Sequence, residues 1–343
     1  MLNYTDTSKI YWEARKQREE QTWTLPHIDI YEDEFMIVKK FTSHKAKEAL
    51  FINPPRAGHH SNIAQLVIKY CTENTNYAIY AVEHKAATQK TKNYGIEKIV
   101  NSINTVYDLI MLDMATEYEK IHLYGLCQGG WANVIWAASN PDKVKSIIIA
   151  GTPIDFIIDG GKCQSWLSFV SNNYIKNIIK RHDGIWPGKY QLDGFKMLNP
   201  VDRYISTYMD LWNFIAEEDE KAIKKWIRNN SWYEHVLDLP GKMIIEVVDR
   251  LFRKNYLIKK KLKINGQIVD LSNITCPVVA ITGDDDDITL ERQCTEIFKY
   301  VSSKHTKHFA IPHCGHIAIF LKKEALEKWV EGIDFIKKSL KQK

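Results

Sequence analysis

Lys120-Ile121-His122-Leu123-Tyr124-Gly125-Leu126-Cys127-Gln128-Gly129-Gly130-Trp131-Ala132-Asn133-Val134-Ile135-Trp136-Ala137-Ala138 decides how this chain is read. The run before Gly125 has β-branched and aromatic content and reads as a short strand, whereas the run after Gly130 suits a helix. A strand enters a tight turn, Cys127 sits at its apex, and a helix leaves, which is the outline of a nucleophile elbow. An apex held in a strained conformation needs small neighbours two positions away, and glycine stands at 125 and 129. The helix N-terminus aims unpaired N–H groups and its positive dipole end at the apex, so a thiol there has its thiolate stabilised. The rival reading is a buried structural cysteine; an aspartate and a histidine further along the chain weigh against it.

Outward from the elbow, strands and helices alternate. Phe35–Phe41, Ala49–Asn53, Tyr77–Val82, Lys145–Gly151, Cys276–Gly283 and Lys307–Ile311 read as strands, most of them apolar throughout. Helices are expected over 8–22, 62–72, 94–116, 290–301 and 322–341. Such alternation predicts a mostly parallel sheet covered by helices on both faces, with the site at the carboxyl ends of the strands. From 154 to 274 the rhythm changes and helices are expected over 206–229 and 241–256. The expected organisation is a helical extension over 1–30, core over 31–153, a helical cap inserted over 154–274, and core again over 275–343. Trp166, Trp186, Trp212, Trp226 and Trp232 fall in the insertion; some could line an acyl channel, but most are expected in its own core.

The composition, 45% hydrophobic and 26% charged, is that of an ordinary globular protein, and 343 residues can bury a full core. A net charge of +5 spread along the chain does not argue for nucleic acid. No apolar run approaches the roughly 18 residues of a membrane span. Met1-Leu2-Asn3-Tyr4-Thr5-Asp6 lacks the apolar run of a secretory signal, and the cysteines at 71, 127, 163, 276, 294 and 314 form no CxxC, so a cytoplasmic protein with free thiols is expected.

Nucleophile, acid and histidine in that chain order are met by Cys127, one of Asp284–Asp287, and His316. His316 would take the thiol proton and the aspartate would orient its ring. The backbone N–H of Gln128 and an N–H from the loop Pro54-Pro55-Arg56-Ala57-Gly58-His59-His60 would hold a developing oxyanion, with Asn53, His59 and His60 as neighbouring candidates for substrate contact. The aspartate run lacks calcium-loop spacing, and His313, Cys314 and His316 lack a second ligand pair, so no metal is expected.

These residues resemble the polyhydroxyalkanoate synthases of the α/β-hydrolase superfamily, in particular the short class that works with a small partner subunit, or a synthase-like branch. The likeness runs through Leu123–Gly130, Asn140–Lys145, Gly151–Phe156, Pro240–Leu257 and Gly266–Ile274. The family's aspartate matches Asp286, followed by Asp287 and Ile288, and its histidine matches His316 in Gly315-His316-Ile317. Two stretches depart: Asn53–His60 stands where the family carries an Asn-Lys-Pro-Tyr-like run, and Val82-Glu83-His84 replaces Asp-Trp-Gly. The resemblance implies an acyltransferase with Cys127, Asp286 and His316 as its triad. It implies a 3-hydroxyacyl-CoA substrate, an acyl-cysteine intermediate, and no cofactor beyond that thioester. A small partner subunit, a homodimer and association with polymer granules come with it as expectations. A cysteine-dependent thioesterase or depolymerase, or a non-catalytic binding protein of the same fold, are the alternatives.

Overall fold

The computed structural model describes residues 4–42, 46–114 and 119–341. Eight strands form one sheet: β1 (Ile28–Glu32), β2 (Met36–Lys40), β3 (Glu48–Asn53), β4 (Tyr77–His84), β5 (Ile121–Leu126), β6 (Val144–Ala150), β7 (Val278–Gly283) and β8 (Thr306–Ile311). Their order is β1-β2-β4-β3-β5-β6-β7-β8. The pairs β1–β2 and β2–β4 are antiparallel, and all others are parallel. β5 is buried at every position, as a central parallel strand covered on both faces must be. The strand β1 has no counterpart in the sequence reading; its residues Ile28-Asp29-Ile30-Tyr31-Glu32 are half-exposed at the sheet edge, where apolar content is a weak guide.

Helices α3 (Ile96–Met114) and α4 (Gln128–Ser139) cover one face; α2 (Gln65–Asn74) and the last helix, α11 (Lys323–Lys341), cover the other. On α3 the buried positions are Ile96, Ile99, Val100, Ile103, Val106, Tyr107 and Ile110, the stripe that helical spacing predicts. The expected end of that helix at 116 lies outside the described residues.

Between β6 and β7 the chain leaves the sheet and builds α5 (Lys162–Phe169), α6 (Asn172–Arg181), α7 (Gly188–Leu198), α8 (Thr207–Ala216), α9 (Glu220–Glu234) and α10 (Gly241–Glu246). The single helix expected over 206–229 is two, because Glu218 adopts φ 58° between α8 and α9. The helix expected over 241–256 turns π-helical at Val247–Arg253, and a second π segment, Asp202–Ser206, precedes α8.

The N-terminal helix is α1 (Tyr4–Lys16), shorter and earlier than expected. Gln17 to Thr22 is polar throughout and offers no apolar face, so the helix stops and the chain continues as a strap. α1 packs against α8 and α9 in a separate small core of Ala14, Leu211, Ile215, Trp226 and Ile227. No helix among the described residues is long and apolar enough to cross a membrane.

Candidate active site

Cys127 has φ 49° and ψ −114°, a conformation that side chains other than glycine rarely adopt. Its N–H donates to the carbonyl of Ala150 at 2.8 Å, and its own carbonyl accepts from Thr152 Oγ1 at 3.0 Å, so the strain is held from β6. The glycines around it leave no room for a side chain. A Cβ on Gly125 would sit 2.3 Å from the Gly130 Cα, and one on Gly129 would sit 2.0 Å from the Asn53 carbonyl oxygen. Gln128 opens α4 directly after the apex, and the first N–H groups of a helix have no partner within it.

The four aspartates after β7 have four different surroundings. Asp284 accepts from the Cys314 N–H, Asp285 is exposed, and Asp287 pairs with Lys162 at 2.8 Å. Asp286 is buried: its Oδ1 accepts from the N–H groups of Ile288 and Thr289, both at 2.9 Å, and its Oδ2 lies 2.7 Å from His316 Nδ1. A carboxylate only accepts, so Nδ1 carries the proton and Nε2 is left for the other side of the ring. His316 and Cys127 line the same cavity, and the Cys127 sulfur is close enough to act on the charge of the ring. Burial opposes a charge on this ring, but the Asp286 carboxylate and the Cys127 sulfur outweigh it and hold its pKa well above the ordinary histidine value.

Cys127, Gln128 and His316 line a cavity of about 190 Å³ with mostly apolar walls. Trp131 on α4 and Trp166, Trp186 and Trp232 from the insertion line it. Of the five insertion tryptophans, three therefore face the cavity, contrary to the expectation that most would fill the insertion's own core; Trp226 does so, and Trp212 packs on Tyr11. Both π segments contribute wall residues: Arg203 from one, and Val247, Val248 and Phe252 from the other. Sequence reasoning did not reach Phe195 on α7, nor Arg203 and Phe252, whose π turns helical periodicity does not reveal.

The other candidates divide. His59 lines the cavity. Asn53 does not reach it: its buried amide donates to Asn133 Oδ1 at 2.9 Å and ties β3 to α4. His60 is also turned away, with Nδ1 accepting from the Asn62 N–H and Nε2 facing Glu83 at 3.7 Å. Consecutive residues of an extended loop point to opposite sides, so His59 and His60 could not both face the sulfur. The departure at Glu83-His84 has a structural role. Burial lowers the His84 pKa to about 3, so its ring is neutral. Its Nδ1 faces Arg56 at 3.2 Å and its Nε2 donates to the Pro54 carbonyl at 3.1 Å, which holds the loop over the elbow.

A sheet of this order, with a strained turn between its fifth strand and the helix that follows, is that of the α/β-hydrolase fold. Solved structures agree: the monoacylglycerol lipase of Paleococcus ferrophilus superposes with a TM-score of 0.56 at 16% identity, over 87% of this chain and 99% of that one. The alpha/beta hydrolase domain-containing protein 10 from mouse does so with 0.53 at 14% identity, over 92% and 99%. Within that class, residues 163–338 match the model of the PHB de-polymerase C-terminus family, and the chain belongs to it. Among curated proteins it is similar to the poly(3-hydroxyalkanoate) polymerase subunit PhaC of Thiocystis violacea, 25% identical over 63% of this chain and 59% of that one. The same subunit from Allochromatium vinosum is 26% identical over the same shares. The match thus spans about three-fifths of the length of these relatives.

Proposed function

We propose that the protein is an acyltransferase of the polyhydroxyalkanoate synthase type, with Cys127 as nucleophile, His316 as acid–base group and Asp286 as its orienting carboxylate. Cys127 and His316 in the lining of one mostly apolar cavity, with Asp286 buried behind the His316 ring, carry the reading, and the similarity to polymerase subunits supports it.

The Cys127 thiolate attacks the carbonyl carbon of a 3-hydroxyacyl-CoA, a new C–S bond forms, and the C–S bond to CoA breaks. The leaving thiolate takes the proton held on His316 Nε2 and departs as CoA. In the second half, His316 Nε2 accepts the proton of a chain-end hydroxyl, whose oxygen attacks the acyl-cysteine; an ester forms and the Cys127 thiolate returns. The oxyanion of each step is held by the Gln128 N–H and one N–H of the loop after β3. Pro54 and Pro55 have no N–H, so Arg56 is the first loop residue able to supply it. A mostly apolar lining disfavours water beside an acyl-enzyme, which suits transfer better than hydrolysis.

The test is incubation with 3-hydroxybutyryl-CoA, following thiol release and product size together. Thiol release with ester oligomers, and loss of release by roughly 10⁶-fold in Cys127→Ala, is the expected result. Free 3-hydroxybutyrate as the sole product would assign the site to a cysteine-dependent thioesterase or depolymerase instead.

A further inference from the structure

His59 is more than nine-tenths buried and lines the same cavity as Cys127. Its ring lies stacked on Trp232, with centroids 4.8 Å apart and planes at 20°, and against Phe195 at 5.7 Å. The plane of the ring is thereby fixed. Its Nε2 lies 3.0 Å from the Tyr233 carbonyl oxygen. A carbonyl cannot donate, so Nε2 carries the proton and the tautomer is determined. Burial, with repulsion from His235 and Arg203 added, pushes the pKa of the ring down to about 4. At neutral pH His59 is therefore uncharged and Nδ1 keeps a bare lone pair. Among the described residues, none donates to that atom.

A lone pair held in a mostly apolar wall calls for a donor on whatever fills the cavity. We infer that His59 Nδ1 is the acceptor for the hydroxyl of a hydroxyacyl chain carried at Cys127, and so sets the preference of the site for hydroxyacyl over plain acyl substrates. The inference rests on the acyl-transfer reading above and names the feature of the substrate that the site selects. A ring that protonates only near pH 4 is too weak a base to take an alcohol proton. His59 therefore binds and aims the hydroxyl, and His316 deprotonates it. A plain acyl chain leaves Nδ1 buried without a partner, a loss of about 10- to 100-fold.

The experiment compares kcat/KM for CoA release from 3-hydroxybutyryl-CoA and butyryl-CoA. The wild type is expected to favour the hydroxy substrate by about 10- to 100-fold. His59→Phe keeps an aromatic ring on Trp232 and removes the acceptor, and should bring the ratio close to one; His59→Gln should restore part of it. An undiminished ratio in His59→Phe overturns the inference. So does an equal loss on both substrates, which would place the contact on the shared pantetheine amides. If His59→Phe does not fold, the wild type decides alone, and a ratio near one overturns the inference. Absence of CoA release from either substrate is a different result: it removes the acyl-transfer reading itself.

Discussion

At the scale of the residue, the site depends on side chains that are absent as much as on those present. The elbow brings the backbone of α4 against the end of β3, and a Cβ at Gly129 would lie 2.0 Å from a backbone oxygen that has no room to yield. Gly129→Ala is therefore expected to lower stability by about 1–3 kcal/mol and to shift the loop over Cys127. Urea denaturation together with the rate of Cys127 alkylation reads both effects, and an unchanged midpoint and rate would contradict this account. The choice among four adjacent aspartates is settled at the same scale. Only Asp286 is both buried and closed into a turn by two backbone donors, so its second oxygen is left for His316. The residues alone left the choice open among 284–287, and the resemblance to the synthase family pointed to Asp286 through the hydrophobic residue at 288.

At the scale of the element, the loop after β3 is held by the end of β4. Glu83 accepts from Trp23 Nε1 at 2.7 Å and pairs with Lys39 at 3.3 Å, and so links the N-terminal strap, β2 and the loop through His60. Burial would raise its pKa, but His60, Lys39 and Trp23 together pull it down from 4.5 to about 2. A carboxyl with a lowered folded-state pKa stabilises fully above its unfolded value, and the contribution fades as pH falls from about 4.5 towards about 2. Glu83→Gln should therefore cost most near neutral pH, and its gap from the wild type should close progressively below pH 4.5. Denaturation midpoints at pH 7, 4 and 3 test this; a gap of constant size would show that the pair does not carry the effect. The pairing of Glu83 was not legible in the sequence, because its partners Trp23, Lys39 and His60 come from three separate segments.

At the scale of the whole molecule, the insertion that roofs the cavity is held by α1. Arg15 lies over the rings of Trp12 and Tyr208, at 5.0 and 4.5 Å, and Tyr11 packs edge-on to Trp212. The strap then crosses to the sheet side: the Glu19 N–H donates to Ser231 Oγ on α9, and Asn62 beside the loop donates to the Thr22 carbonyl. Removing residues 1–16 should expose the apolar faces of α8 and α9 while leaving the sheet intact. Trypsin is expected to cut at Lys221, Lys224 or Lys225 much sooner than in the full chain. Identical digestion patterns would mean that the insertion is held without α1.

The sequence by itself determined the alternation of strands and helices, the elbow and its glycines, and the chain order of thiol, carboxylate and imidazole. Those features are written in local spacing, which sterics and periodicity make readable. Tertiary structure alone decided which side of the loop each of His59 and His60 faces, that Asn53 joins β3 to α4, and that three tryptophans of the insertion line the cavity. Each of these depends on a partner distant in the chain, and a side chain's neighbours across the fold leave no mark on its own sequence window.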